Sequence, residues 1–336
     1  VLTQEHQYLV TEQTEETSGL STELPVLRDP SVPFYCRQER QGLMVSGFEH
    51  EVKFNWLDGA PHDFAMSLYP PDLERAAPCL EESFEMVPAL QTLGIKTIVN
   101  GPIPATPDMQ ALIGPAHGLR NYFACCGIHG AFVQGMLTYY LAEWIAHGEP
   151  SIDLSSVDVR RFGDYATQDF AVARVSAAHT MFSLPANYPS IEPKGGRQAR
   201  TSPLYPVLKA KGAVFGVIDG WECANWFAPE GVEANDVWSF ERANWFEYVA
   251  DESQWVREKV GVLDYTAIAK HDVTGARATE RLSAMSASRM PAIGQRATAV
   301  FLSRQGGVEL MAKVDRLARD HYRFSVSADK ERQVTD

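Results

Sequence analysis

The sequence predicts a mixed fold, α+β with an α/β element, and three observations predict it. Residues 5–49 contain short apolar runs separated by turns, which is typical of an antiparallel meander. Residues 98–148 have the pattern of strands, a glycine turn and a helix. Residues 265–326 alternate strand, helix and strand. With 336 residues, the chain is long enough for one large domain or two ordinary ones.

The composition excludes several classes of function. With 45% hydrophobic and 22% charged residues, the chain can bury an ordinary core. Its net charge of -13 argues against nucleic acid and against anionic membrane surfaces as partners. No apolar run reaches the roughly 20 residues that a membrane-spanning helix needs, so we predict no membrane insertion.

The cysteine count predicts reduced, buried thiols rather than disulfides. The number is odd, and no C-x-x-C pair occurs. The five residues are Cys36, Cys79, Cys125, Cys126 and Cys223.

The first half of the chain predicts these elements in order. They are strands at 7–11, 34–37 and 41–47, a helix at 72–87, a short strand at 98–99, a Pro-rich turn at 101–108, an apolar strand within 118–126, a glycine turn at 127–130 and a helix at 131–147. A strand, a glycine turn and a helix together bring amide N–H groups and a helix N-terminus up to an electron-rich ligand. Many α/β domains contain such a turn without any ligand, so both interpretations stay open.

The second half begins with an exit loop at 153–162 and a helix at 165–178. Residues 188–235 show little periodicity but many Pro, Gly and Trp residues, so we predict an ordered linker that wraps a surface. A helix at 246–260 follows. The segment 262–264 opens a second domain, with strands at 269–273, 298–303 and 322–326 and a helix at 278–286.

Two sets of residues are candidates for chemistry besides the glycine turn. His6 and Tyr35 are predicted on neighbouring strands of the meander, where they would meet in one cavity and position an amine. The alternative is a hydrogen-bonded core histidine and an ordinary strand tyrosine. Gly306 and Gly307 predict a hairpin turn. The sequence contains no phosphate loop, no G-x-S-x-G, no G-x-G-x-x-G and no histidine spacing suited to a metal.

A set of ordered segments resembles the dimethylglycine dehydrogenase and sarcosine dehydrogenase family. These are flavoproteins fused to a domain similar to the glycine-cleavage aminomethyltransferase. The segments are EHQYLVT at 5–11, ELPVLRD at 23–29, YCRQE at 35–39, GLMV at 42–45, VNGPI at 99–103, TPD at 106–108, LAEWI at 141–145, GEPS at 148–151, RRFG at 160–163, RTSPLY at 200–205, GAVFG at 212–216, GWE at 220–222 and NWF at 244–246.

The resemblance implies three regions. Residues 1–150 would form the second half of a D-amino-acid-oxidase-like FAD domain, with an antiparallel substrate sheet and a returning strand and helix. Residues 151–235 would be the central linker, and residues 236–336 the start of an aminomethyltransferase-like α+β domain. The family's first flavin-binding half is not among these residues, and both ends look cut. We therefore expect a missing segment or a partner chain to supply it.

The resemblance also implies an activity, namely FAD-dependent demethylation of an N-methyl amino acid such as dimethylglycine or sarcosine. His6 and Tyr35 would be catalytic. The one-carbon unit would pass to tetrahydrofolate or leave as formaldehyde, and the electrons would pass to an acceptor flavoprotein or to oxygen. The location would be cytoplasmic in a bacterium and the mitochondrial matrix in a eukaryote. The residues that would contact FAD are Gly127, Ile128, His129, Gly130, Ala131, Phe132, Pro107 and Asp108.

Some residues depart from the family pattern. Members attach FAD covalently through a histidine that lies outside these residues, and they continue the glycine turn with further glycines where Met136 to Tyr139 stand here. The family places an acidic residue at the position of Met311, and without it folate chemistry is in doubt. These departures keep a second hypothesis open, in which the chain is a regulatory or scaffolding homologue resembling the pyruvate dehydrogenase phosphatase regulatory subunit.

Overall fold

A computed structural model describes residues 1–29, 32, 34–128, 134–182, 188, 191–192 and 194–335. The chain divides into two compact units. The first unit consists of Val1–Met109 and Gln168–Gly196, and the second consists of Gln110–Thr167 and Arg197–Asp336.

The strands and helices within those residues have the following bounds. The strands are β1 (Leu2–Thr11), β2 (Leu27–Asp29), β3 (Phe34–Glu39), β4 (Gly42–Gly47), β5 (Phe54–Asn55), β6 (Ile95–Ala105), β7 (Leu112–Pro115), β8 (Phe123–Cys126), β9 (Ala213–Ile218), β10 (Trp221–Phe227), β11 (Ala269–Thr274), β12 (Arg296–Leu302), β13 (Val308–Ala318) and β14 (His321–Val326). The α-helices are α1 (Glu15–Ser18), α2 (Leu73–Met86), α3 (Gln134–His147), α4 (Gln168–Phe182), α5 (Tyr205–Ala210), α6 (Phe246–Glu258) and α7 (Ala278–Met285).

The first unit contains a six-stranded antiparallel sheet in the order β2-β3-β4-β1-β5, with β6 also paired to β1. The predicted placement of His6 and Tyr35 on neighbouring strands is wrong, because β4 lies between β1 and β3. The reason is local: β3 and β4 form a tight hairpin in which Glu39 pairs with Gly42, and β1 then adds to the free side of β4.

The two faces of this sheet differ in character. On one face Leu9, Phe34, Cys36 and Val45 are buried, and Leu80 of α2 packs against them. Alternation along the strands turns the other residues to the opposite face, among them His6, Tyr8 and Tyr35, which are half-buried. The helix α2 therefore covers one face, while on the histidine face α4 packs at the end of the sheet where Leu2 and Ala105 contact Ala171 and Val175.

The predicted turn at 101–108 is mostly strand, because β6 continues as far as Ala105. Pro102 and Pro104 lack an N–H, which would disrupt a central strand. Among the described residues β6 pairs over its length only with β1, so each proline can turn its nitrogen away from that partner.

In the second unit, α3 packs on the β7–β8 hairpin around Ile113, Leu141 and Leu154. The strand predicted within 118–126 is shorter, since β8 begins at Phe123. Gly114 has φ +110°, and a Cβ there would lie 2.7 Å from the Trp144 ring, so this close approach requires glycine.

The stretch 188–235, predicted as an ordered linker that wraps a surface, contains regular elements that the sequence did not predict. This stretch contains α5 and the β9–β10 hairpin, whose turn residues Asp219 and Gly220 have positive φ angles of 47° and 81°. Asp-Gly is the usual signal for such a turn. Trp226 is 1% exposed, its indole N–H donates to Asp236 at 2.9 Å, and its ring stacks on Tyr248.

The second sheet has four antiparallel strands in the order β11-β14-β13-β12. Leu282 of α7 packs on one face with Val314, Tyr322 and Phe324. The hairpin predicted at Gly306 and Gly307 is confirmed: β12 pairs with β13, and Gly306 has φ +84°.

The prediction that all the thiols are buried is wrong in part. Cys36 and Cys79 are buried, Cys223 is intermediate, and Cys125 and Cys126 are exposed at the end of β8, and all five are free thiols. Within the part of the chain that the structure describes, no helix is both long and apolar enough to cross a membrane.

Candidate active site

His6 lies in the middle of β1, and both of its ring nitrogens have partners. Nδ1 lies 3.0 Å from Oε2 of Glu49, and Nε2 lies 3.2 Å from the hydroxyl oxygen of Ser46. The histidine side chain is 15% exposed and the glutamate side chain 2%. The imidazole is therefore held at both ends while part of it remains open to a ligand.

Glu49 is an ionised carboxylate in a buried position. Burial acts to raise its pKa, but the hydrogen bond from His6 and the charges of His6 and Arg75 outweigh burial, and the pKa lies below its usual value. The backbone N–H of Gln7 donates to Oε1 at 3.3 Å. An ionised carboxylate only accepts hydrogen bonds, so Nδ1 of His6 carries the proton.

The hydroxyl of Ser46 decides what the other ring nitrogen can do. It donates to the carbonyl oxygen of Gln7 at 2.8 Å, which uses its one hydrogen. The hydroxyl can then only accept from Nε2. Both bonds to His6 are satisfied together when Nε2 is protonated as well. The site is thus built to stabilise an imidazolium once Nε2 has taken up a proton.

Arg75 holds Glu49 from the side of α2. Its guanidinium is 11% exposed and lies 3.1 Å from Glu49, 3.5 Å from Glu5 and 3.5 Å from Asp72. These contacts are ion pairs without hydrogen-bond geometry among the described residues. Burial acts to raise the pKa of Glu5, but hydrogen bonds from Asn55, Asn100 and Lys53 lower it below the usual value. A compact buried network of charges therefore supports the histidine.

Tyr35 lies on the same face of the sheet as His6, although on a different strand. Ser46 is opposite both Tyr8 and Tyr35, and residues directly opposite in antiparallel strands share a face. The ring of Phe48 lies between the two candidates, with its centroid 6.1 Å from that of His6 and 6.2 Å from that of Tyr35. An imidazole and a phenol therefore flank one phenyl ring.

The residues predicted to contact a flavin are only partly described. Gly127 has φ +66° at the end of β8, Ile128 packs with the core of the second unit, and α3 begins at Gln134. His129, Gly130, Ala131 and Phe132 lie outside the described residues.

Pro107 and Asp108 form the turn after β6. The Thr106 hydroxyl donates to Asp108 at 3.3 Å, and the N–H of Met109 donates to the Thr106 carbonyl. Since Ala105 pairs with Leu2 and Gly101 with His6, β6 ends about 13 Å along the strand from His6, and this turn lies beyond that end.

The open face of the second sheet borders a concavity of about 820 Å³. Met311 is exposed on this face, and the Lys313 ammonium donates to the Thr298 hydroxyl at 2.8 Å. No carboxylate is among the described residues that line it, which are Tyr265, Ile268, Lys270, Arg296, Ala297, Thr298, Met311, Ala312, Lys313, Ser325, Val326 and Ser327.

Family models match consecutive parts of the chain. Residues 1–147 match an FAD dependent oxidoreductase model, residues 147–202 match an FAD dependent oxidoreductase central domain, and residues 204–336 match a GCVT N-terminal domain. The chain is 36% identical over 311 residues to the mitochondrial dimethylglycine dehydrogenase of Mus musculus. The aligned region covers 90% of the chain and 36% of that protein. It is 30% identical to the mitochondrial sarcosine dehydrogenase of Homo sapiens, over 94% of the chain and 37% of that protein.

The chain belongs to the dimethylglycine and sarcosine dehydrogenase family. The resemblance inferred from the ordered segments and the mixed α/β fold class are thereby confirmed. The family includes the mitochondrial pyruvate dehydrogenase phosphatase regulatory subunit of Mus musculus, which is 29% identical over 96% of the chain and 37% of that protein. The chain spans a little over a third of the length of these relatives. The boundaries predicted at 150 and 235 stay predictions.

The residues of this dehydrogenase family member fit a flavin better than they fit a folate. Gly127 has a positive φ at the end of β8, a backbone conformation that occurs in glycine turns around electron-rich groups. The concavity of the second sheet offers cations but no acid among its described lining residues. A folate nitrogen would find no carboxylate there, so the described residues do not fit tetrahydrofolate.

Sequence reasoning missed Ser46, Phe48, Glu49 and Arg75. Glu49 stands two residues beyond β4, and only the pairing of β4 with β1 brings it beside His6. Arg75 carried a usable signal. It lies in the first turn of a helix predicted from the sequence, after Asp72 and Glu74, where the helix dipole does not favour a cation and a further partner is therefore expected.

Proposed function

We propose that this family member oxidises N-methyl amino acids, such as dimethylglycine or sarcosine, with FAD as the oxidant. The names of the two dehydrogenase relatives support this substrate class. The observation that carries the proposal is the His6–Glu49 pair, because a histidine held by a buried carboxylate, beside a phenol and a phenyl ring, is equipped to take a proton from an amine.

The chain's own residues prepare the substrate for oxidation. A protonated amine has no lone pair with which to expel a hydride, so its proton must leave first. Nε2 of His6 would accept that proton while the amine takes the place of the Ser46 hydroxyl at its lone pair. The resulting imidazolium would donate to Glu49 through Nδ1 and, once the amine has moved off, to Ser46 through Nε2. Arg75 keeps Glu49 ionised throughout. The Phe48 ring gives the methyl groups an apolar contact that excludes water.

FAD, when bound, would supply the acceptor for the hydride that leaves the N-methyl carbon, while the nitrogen lone pair forms the C=N bond of an iminium. Gly127 and Ile128, with residues 129–132, would hold it through backbone N–H groups. We propose that any covalent link is made by a residue outside these 336 positions. The two electrons would then pass to an acceptor flavoprotein or to oxygen.

Hydrolysis would complete the reaction. Water adds its oxygen to the iminium carbon and gives up a proton, and the C–N bond then breaks to yield formaldehyde and the demethylated amine. We favour release of formaldehyde over transfer to tetrahydrofolate, because the described lining of the second sheet's concavity has no carboxylate. The location proposed for a eukaryotic protein is the mitochondrial matrix, as in the relatives named above.

The second candidate is a non-catalytic regulatory or scaffolding subunit, which the match to the phosphatase regulatory subunit and the replacement of an acid by Met311 favour. A scaffold has no need for a buried carboxylate that orients a half-open histidine. The His6–Glu49 pair is therefore the reason for preferring the enzyme.

The two candidates differ in a simple measurement on the protein produced from its complete coding sequence. The enzyme would show a flavin absorption band, and dimethylglycine would release one formaldehyde for each amine demethylated. Acid precipitation would leave the colour in the pellet if the flavin is covalent. A colourless protein that releases no formaldehyde would overturn the proposal and favour the subunit.

A further inference from the structure

An unpaired arginine lies beside the candidate catalytic pair. Arg28 is in β2, directly opposite Tyr35, so the two side chains lie on the same face of the sheet. Its guanidinium carbon lies 4.9 Å from the centroid of the Phe48 ring. Phe48 therefore has three neighbours on this face: the imidazole of His6, the phenol of Tyr35 and the guanidinium of Arg28.

The charge of Arg28 has no counterion within the part of the chain that the structure describes. Its guanidinium makes no ion pair and no hydrogen bond there, and its one recorded contact is with the Phe48 ring. The nearby Arg37 is different, since it lies 2.6 Å from Glu39 and donates to the carbonyl of Gln38. Arg75 is shared by Glu5, Glu49 and Asp72. Arg28 thus keeps five N–H donors in a planar fork for a ligand.

We propose that Arg28 binds the carboxylate of the amino acid substrate, and so selects N-methyl amino acids over simple N-methyl amines. A guanidinium fork matches a carboxylate with two parallel hydrogen bonds. Under this assignment the carboxylate would lie on Arg28 and the amine would face His6, since both side chains lie near the Phe48 ring. The assignment rests on the proposed demethylation for its kinetic test but not for its binding test.

The kinetic test compares two substrates of nearly equal shape, dimethylglycine and its amide, which lacks the negative charge. In the protein from the complete coding sequence, Arg28→Met should raise KM for dimethylglycine at least about 30-fold, the loss expected for a charged bidentate contact. It should leave KM for the amide within about 2-fold and change kcat little. Arg28→Lys should recover part of the loss. Arg37→Met, a cation on the same face with its own partner, should behave as wild type.

The binding test needs no turnover. Trimethylglycine and choline are both quaternary amines, and only the first has a carboxylate. Calorimetry should show that the wild type prefers trimethylglycine and that Arg28→Met removes the preference without reducing flavin content or thermal midpoint. Equal losses for the charged and uncharged ligands, unchanged binding, or no binding of trimethylglycine by the wild type would each overturn the assignment. Failure of both substrates to turn over, with the binding preference intact, would overturn only the demethylation.

Discussion

The two large sheets of this chain differ in how they use the face opposite their main helix. That helix is α2 in the first sheet and α7 in the second, and on the opposite face of the first sheet α4 packs at the end bearing Leu2 and Ala105. On the second sheet the open face carries two cross-strand ion pairs, since Arg296 bonds both oxygens of Asp315 and Arg323 bonds both oxygens of Asp272. Its lysines, Lys270 and Lys313, donate to neutral oxygens. On the first sheet the open face carries Arg28, which has no counterion among the described residues, and His6, which Glu49 orients.

The difference indicates how to recognise a ligand face. Cross-strand ion pairs satisfy one another, so a face made of them needs no ligand and is a solvated surface. A face that has a charged side chain without a counterion, beside a side chain oriented by buried partners, can still bind a charged ligand. The first sheet is the candidate substrate face because its Arg28 lies near a histidine that a buried carboxylate orients, a combination that the described lining of the second sheet's concavity lacks.

The largest expected effect separates the two faces through their histidines. His6→Asn removes the proton acceptor, so flavin reduction by dimethylglycine should slow by about 10²–10⁴-fold. The matched control is His321→Asn on the second sheet, where the ring contacts Asp272 at 3.2 Å. That variant should reduce its flavin at the wild-type rate. Rapid-mixing absorbance in the absence of oxygen measures both, and equal rates in the two variants would contradict the comparison.

The next effect is on stability. Arg75→Met leaves Glu5 and Glu49 as buried carboxylates without their shared cation, which should lower the free energy of unfolding by about 3 kcal/mol or more. Arg37→Met breaks a half-exposed pair with Glu39 and should lower it by less than about 1 kcal/mol. Denaturant unfolding checks both values. Similar losses in the two variants would mean that the buried network is not the support described.

A smaller effect appears in the pH dependence of stability. Because the pKa of folded Glu49 lies below the ordinary value of 4.5, its contribution is complete above that pH and is lost as the pH falls toward the folded pKa. Between about pH 6 and pH 3 the free energy of unfolding should fall less steeply in Glu49→Gln than in the wild type. Glu39→Gln, a half-exposed carboxylate, should match the wild type. Parallel curves for all three proteins would rule out the assigned charge state.

The smallest expected effect is none at all. Tetrahydrofolate added to the wild-type reaction should leave the yield of formaldehyde unchanged, because the concavity of the second sheet has no acid among its described lining residues. Trapping of the formaldehyde as a folate adduct at an enzyme-dependent rate would restore the second sheet as a functional face.

The sequence predicted most elements but not the relations between them. Period-2 and period-3.6 patterns identified the strands near His6 and the helix that became α2, and paired glycines located the β12–β13 hairpin. Periodicity carries no information about which strand lies beside which, so the insertion of β4 between His6 and Tyr35 was not predictable. Glu49 comes beside His6 through the pairing of β4 with β1, and Arg28 comes beside Tyr35 through the pairing of β2 with β3.

Two errors had local causes. The prolines of β6 suggested a turn, because an edge strand that tolerates them cannot be distinguished from a loop without its partner. The hairpin at 213–227 was not predicted, although Asp219-Gly220 marks its turn, because the many tryptophans of this stretch favoured a surface-wrapping linker. His6 and Tyr35 were candidates from their predicted strands, the family resemblance strengthened that prediction, and their roles stay predictions.

We propose that the face bearing His6, Tyr35 and Arg28 receives the substrate. A crystal structure of the protein from its complete coding sequence, soaked with trimethylglycine, tests this proposal most directly. The nitrogen of that compound is quaternary and has no lone pair, so the compound cannot be oxidised. We expect density for the compound on this face, with its carboxylate on Arg28 and its methyl groups against Phe48. Density for the compound in the concavity of the second sheet, with the first sheet's open face empty, would contradict it.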